Sequence, residues 1–252
     1  MSEGQKTGDL LGIAPYGKAL NTVAKGAVEG AGAFLSRICL PAAEEFGLLL
    51  RDKVSNWRGT NATHILLNAE RLLAAEPNTD TMHAHPRLVW KILEDGSWTD
   101  EDSIQKLWAG LLATSCTEDG KDESNLIFIN LLNQLTAVQV RIFSFICSKA
   151  NIILSPMGWI YSAPQYCMAD ELSKISGVQD IQDLDRELDQ LNNLGLLTAF
   201  GGFPARGMIP VADTTPTTLA LQLHARCNGH RGALQDFYTR ISVSTSTDGP
   251  PT

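Results

Sequence analysis

Between Lys18 and Trp57 the chain keeps one period longer than anywhere else: Leu20, Val23, Ala27, Ala31, Phe34, Ile38, Ala42, Phe46 and Leu49 recur at steps of three and four. On a 3.6-residue helix these positions make one apolar face, with Lys18, Lys25, Glu29 and Ser36 opposite. Such a stripe is a contact surface, and what it contacts is the main functional question. Pro41 is the one internal breaker; it removes a backbone donor and predicts a break just before it, with helices near 18–39 and 41–57. Gly26 and Gly30 sit one turn apart on the shoulder of the face, where a missing side chain lets another backbone approach. Gly26, Gly30, Phe34 and Ile38 are therefore the candidate contacts for an oligomer or a membrane.

Helical signals continue. Thr60 or Asn61 is expected to cap a helix through Ala75, with Ile65, Leu66, Ala69, Leu72 and Leu73 on one side. Pro86 is placed as a first helical residue ahead of Leu88, Val89, Ile92 and Leu93, and Gly96 as the stop. The acids after Thr99 mark another start, before Ile104, Leu107, Trp108, Leu111 and Leu112. Trp90 and Trp108 are expected as core anchors. A further helix is expected over about 124–134.

The second half changes character. A helix over 136–149 precedes an expected loop over 155–165. Helices near 169–176 and 181–194 follow, the latter stopping at Gly195. Residues 196–200 and 208–211 read as two short strands around the Gly-rich turn 201–207, and a last helix runs from about Pro216 to Cys227. Helix, helix, helix, hairpin is the order of a winged helix-turn-helix. The fold class is thus mainly α: a flexible arm (1–17), an N-terminal helical bundle (18–135), a winged helix-turn-helix-like module with a small β-hairpin (136–232) and a partly disordered tail (233–252) rich in Ser, Thr, Pro and Gly.

Composition sets limits on partners. A formal net charge of −8 over 252 residues argues against whole-protein attraction to nucleic acid or anionic lipid. Five cysteines without paired close spacing, each among apolar neighbours, read as buried reduced thiols. The N-terminus has no basic region leading into an apolar run, so no signal peptide is expected. Lys25, Glu29, Arg37, Glu44 and Glu45 interrupt the opening stretch, and a lone spanning helix there is disfavoured.

Candidate chemistry is sparse. His83 and His85 lack evident third and fourth metal ligands. His224, Cys227 and His230 suggest a thiolate–imidazole pair, but a Cys near a helix end is more simply a small buried hydrophobe. The glycines at 201, 202 and 207 lack the Lys-Ser/Thr ending of a phosphate-cradling loop. Arg206, at the turn tip, is the candidate contact for a phosphate or other ligand. The helix in the recognition position carries Asp180, Asp183, Asp185, Glu187 and Asp189 against Arg186, which would repel duplex DNA. No metal, no cofactor and no catalytic residue is expected.

Leu40-Pro41-Ala42-Ala43-Glu44-Glu45-Phe46-Gly47, continuing to Trp57-Arg58, resembles the opening signature of the abortive-infection alpha family, also called DUF4393. Leu107-Trp108-Ala109-Gly110-Leu111-Leu112-Ala113 and Leu191-Asn192-Asn193-Leu194-Gly195-Leu196-Leu197 are similar to two later segments of that family. The resemblance implies a mostly helical protein of bacterial defence against phage and transfers no catalytic residues. The expectation is a non-enzymatic homo-oligomeric effector whose N-terminal helical region, through residues 18–40, acts on a membrane under control of a C-terminal module that senses a partner protein or signalling ligand. It would be cytoplasmic, peripheral to or inserted at the inner membrane. The alternative is a soluble winged-helix adaptor that binds a protein or nucleic acid.

Overall fold

The computed structural model describes residues 22–43, 53–74, 81–198, 201–204 and 210–238. The expected arm, most of the tail and Arg206 lie outside them. The chain divides into two compact units, one ending at Asn133 and the other beginning at Gln134. It is mainly helical, with small antiparallel two-stranded sheets.

The first unit contains α1 (Thr22–Ile38), α2 (Lys53–Ala74), β1 (His83–Ala84), α3 (Pro86–Gly96), α4 (Asp102–Ser115), β2 (Cys116–Thr117) and α5 (Leu126–Asn133). The break expected before Pro41 falls at Cys39, after which residues 40–43 are helical again. Helix α2 lies along α1 and α4, while α3 packs on α4 and α5. Helix α4 is buried almost all round: Ile104, Leu107, Trp108, Leu111 and Leu112 are covered, and so are Ala109, Gly110 and Ala113. This explains why its Leu-Trp-Ala motif is apolar on every side; it is the centre of the bundle. Gly96 is the last residue of α3, and a Cβ there would lie 2.8 Å from Trp108 Cγ. Its role is close packing against that indole.

Two expectations fail in this unit. Helix α2 runs through Thr60 and Asn61 without a start there. Asn61 is buried, donates from Nδ2 to Ser97 O at 3.0 Å and accepts from Gln105 Nε2 at 3.2 Å. A residue type that favours caps is held mid-helix because its amide is satisfied from across the bundle. Trp90 is 36 % exposed, because Leu88, Val89, Ile92 and Leu93 already fill the inner face of α3. The start expected at the acids after Thr99 is found there: Glu101 occupies the N-cap of α4, Asp102 opens its first turn, and Thr99 Oγ1 accepts from Glu101 N–H at 3.2 Å.

The second unit contains α6 (Ala137–Ser148), β3 (Ile152–Leu154), β4 (Ile160–Ser162), β5 (Tyr166–Met168), α7 (Ala169–Ser176), α8 (Ile181–Asn193), β6 (Val211–Asp213) and α9 (Thr218–Cys227). Thr136 and Gln139 form a reciprocal capping box at the start of α6. Helix α8 ends at Gly195 (φ +71°), with Leu196 N–H donating to Leu191 O at 2.9 Å and Gly195 N–H to Asn192 O at 2.8 Å. That paired stop accounts for the Leu-Asn-Asn-Leu-Gly-Leu motif: a positive-φ glycine between Leu191 and Leu196, both buried.

The expected loop over 155–165 is instead largely a hairpin. Strand β3 pairs antiparallel with β4, Ile153 opposite Tyr161, around a turn at 156–158 in which Gly158 has φ +81°. Pro156 and Gly158 belong to the turn, and the flanking Ile-Ile-Leu and Ile-Tyr-Ser supply the strands. The expected pairing of 196–200 with 208–211 shifts, as far as it is described: Leu197 bridges Pro216, Gly202 bridges Asp213, and β6 pairs on its other side with β5.

Candidate functional site

The outer surface of α8 is the most strongly charged element of the second unit. Asp180 caps the helix, accepting from Gln182 N–H at 2.7 Å. Leu184, Leu188 and Leu191 face the core, which turns Asp183, Asp185, Arg186, Glu187 and Asp189 outward or to the rim. Arg186 reaches Asp183 at 2.8 Å and Glu187 at 2.9 Å, exposed pairs that add little stability. Two acids have further work. Glu187 accepts from Gln139 Nε2 at 2.7 Å, and Asp185 from Phe203 N–H at 3.4 Å. Asn192 Nδ2 donates to Gly201 O at 3.2 Å, so α8 holds the segment after it against its own side. The Gly202 N–H donates to Asp213 O at 2.9 Å and is not turned to a phosphate.

His224 belongs to a second cluster, and it is internal. It is buried on α9 beside Phe143, Phe237 and Tyr238, and its Nδ1 lies 3.2 Å from Tyr238 Oη. Tyr238 Oη also lies 3.3 Å from Leu221 O, so the hydroxyl ties the imidazole to the α9 backbone. Burial lowers the His224 pKa to about 4, which keeps the ring neutral. Burial likewise pushes the Cys147 and Cys227 thiols well up, and the Cys147 thiol points to Ala220 O at 3.8 Å. Thiols held protonated in an apolar cluster are packing groups, as the sequence suggested for Cys227.

His85 caps α3, its Nδ1 accepting from Arg87 N–H at 3.3 Å and lying 3.8 Å from Glu123. Among the described residues no three His, Cys, Asp or Glu side chains are grouped to hold a metal. On α1, Phe34 and Ile38 are each 1 % exposed, closed within the first unit. A Cβ on Gly30 would lie 4.0 Å from Leu67, and one on Gly26 would meet nothing within 4 Å. The four candidate residues of α1 therefore divide into two core side chains and two glycines toward the rim. Among the described residues no helix is long and apolar enough to cross a membrane.

Sequence reasoning passed over two features. In the first unit, Arg58 donates to Ser97 Oγ at 2.9 Å and Glu94 O at 3.0 Å, pairs with Glu94 Oε2 at 3.0 Å, and stacks 4.3 Å over Trp98. With Asn61 and Gln105 it fixes the turn between α3 and α4 onto α2, and reads as scaffold. In the second unit, the β3–β4 hairpin carries Met157 at 94 % and Trp159 at 66 % exposure. The available signal was charge: no Asp, Glu, Lys, Arg or His occurs from Ala150 through Ala169.

No curated protein and no solved structure matches the chain. The sequence profile of the family described as abortive infection alpha matches residues 61–206, from the buried Asn61 of α2 to a point beyond α8. The matched stretch holds the Leu107–Ala113 and Leu191–Leu197 motifs, whereas Leu40–Arg58 lies before it. With more than half its length matched, across parts of both units, the chain belongs to the abortive infection alpha family.

Proposed function

We propose that this abortive-infection protein defends bacteria against phage by binding rather than by catalysis, with the second unit as a winged-helix-like module that meets a basic protein partner. The observation that carries this reading is α8: five acids and one arginine lie between Asp180 and Asp189, on the helix that a winged helix would offer to its target. That charge repels duplex phosphates and attracts Lys- and Arg-rich surface. The groups best suited to chemistry support it too, since His224, Cys227 and His85 have internal packing or capping roles. In this reading the first unit is the scaffold and the cytoplasm the place of action.

The membrane-active alternative, an oligomer formed through Gly26 and Gly30 at the inner membrane, requires Phe34 and Ile38 to leave the core. Phage challenge of cells carrying the Asp183→Lys, Asp189→Lys double variant separates the two. Loss of protection with unchanged circular dichroism, and with membrane potential intact during growth arrest in the wild type, is the expected result. Full protection by the double variant, or a collapse of membrane potential that precedes arrest, overturns the proposal.

A further inference from the structure

The stretch from Ala150 through Ala169 is the longest in the chain without a charged side chain, and it forms strands with an open edge. Ala163 N–H donates to Asn151 O at 2.8 Å and Ser155 N–H to Trp159 O at 2.8 Å, while Ile153 stands opposite Tyr161. Antiparallel ladders alternate, so Asn151, Ile153 and Ser155 turn their backbone groups toward β4, and Ile152 and Leu154 turn theirs away. The outer edge of β4 is engaged: Thr218 Oγ1 donates to Ile160 O at 2.7 Å, tying the hairpin to α9. The outward N–H and C=O groups of Ile152 and Leu154 find no partner among the described residues. Natural edges are guarded by a charge, a proline within the strand or a bulge, and β3 has none of these.

We propose that β3 is the seat of a twofold self-association, pairing antiparallel with the same strand of a second copy. Centred on Ile153, that pairing sets Ile152 opposite Leu154 in both directions, and every outward backbone group of both strands is satisfied. One apolar sheet then runs through both hairpins, extended by Leu154, which is 47 % exposed, and by Trp159. The ladder selects a second copy as the occupant, because the same strand reversed matches both outward rows at once. Two chains of net charge −8 repel wherever acidic surfaces meet, and the uncharged hairpin is where they approach without that cost. The acidic α8 stays free for its own partner, and the self-association does not depend on what that partner is.

Sedimentation velocity on the full chain, over about 1–100 µM, tests this, a range suited to an interface below the standard size. The wild type is expected to form a dimer. Ile152→Pro removes an outward donor while leaving the bonds to β4 in place. Leu154→Lys guards the edge, and because it lowers the net negative charge, weaker association there cannot come from general repulsion. Each is expected to raise the dissociation constant at least about tenfold with unchanged circular dichroism. Met157→Ser, at the tip, keeps the dimer. A wild type that stays monomeric throughout, or edge variants that associate as the wild type does, overturns the proposal. So does a monomer that floats with phosphatidylcholine vesicles and loses that binding with Met157→Ser.

Discussion

Both units bury bonded polar side chains, but they expose their large apolar groups differently. The first draws polar side chains inward: Asn61 and Gln105 are buried and bonded to each other and to the α3–α4 turn, which Arg58 also braces. Among its exposed large apolar residues, Trp57 and Leu72 on α2, Trp90 on α3 and Ile127 on α5 are spread over three helices. The second unit sets four such residues, Leu154, Met157, Trp159 and Tyr161, together on the β3–β4 hairpin, with Tyr166, Met168 and Ile181 outside it. A buried, satisfied polar network specifies one arrangement of helices, whereas a cluster of exposed apolar side chains awaits a contact. The difference is one of surface, dispersed over the first unit and concentrated on one hairpin in the second.

That contrast can be broken most severely at α1. If Phe34 is core, Phe34→Ala lowers unfolding stability by about 3–5 kcal/mol in urea titrations, the range for a buried phenylalanine. A cost below about 1 kcal/mol would return α1 to the contact surfaces. The second unit's own core is sharpened by acid. His224 protonates near its ordinary 6.5 when unfolded but only at about 4 when folded. Between those values the unfolded chain binds more protons, so stability is full above the upper value and falls as pH is lowered, by up to about 3 kcal/mol. His224→Gln should flatten that part of the pH profile, read as denaturation midpoints from neutral to about pH 5. The smallest effect is expected at the hairpin tip: Met157→Ser should change stability by no more than about 0.5 kcal/mol, measured by thermal unfolding. A larger loss would mean that the tip is packed.

The elements legible from sequence carry their own punctuation. Pro86 opens α3, Thr136 with Gln139 opens α6, and Gly195 closes α8, each through bonds made within a few residues. The misread elements depend on distant partners. Asn61 looked like a cap because its amide answers to Ser97 and Gln105, which no local pattern announces. The β3–β4 strands were missed because neither Ile-Ile-Leu nor Ile-Tyr-Ser alternates polar with apolar, and Pro156 and Gly158 read as loop. For the candidate site, the apolar face of α1 was legible as a face, but a stripe does not name what covers it. Arg206 lies outside the described residues, and the acids of α8 were legible as charge, but Asp185 was not legible as the anchor of Phe203, nor Asn192 as that of Gly201.

Gln139 joins two places that the chain sets far apart. Its Oε1 accepts from Thr136 N–H at 2.9 Å to start α6, while its Nε2 holds Glu187 in the middle of α8 at 2.7 Å. A single amide plane serves both, so it cannot turn to release one without disturbing the other. Fraying at the head of α6 and loosening of α8 thereby become one cooperative opening, and the acidic surface inherits the rigidity of a helix start that it does not touch in sequence.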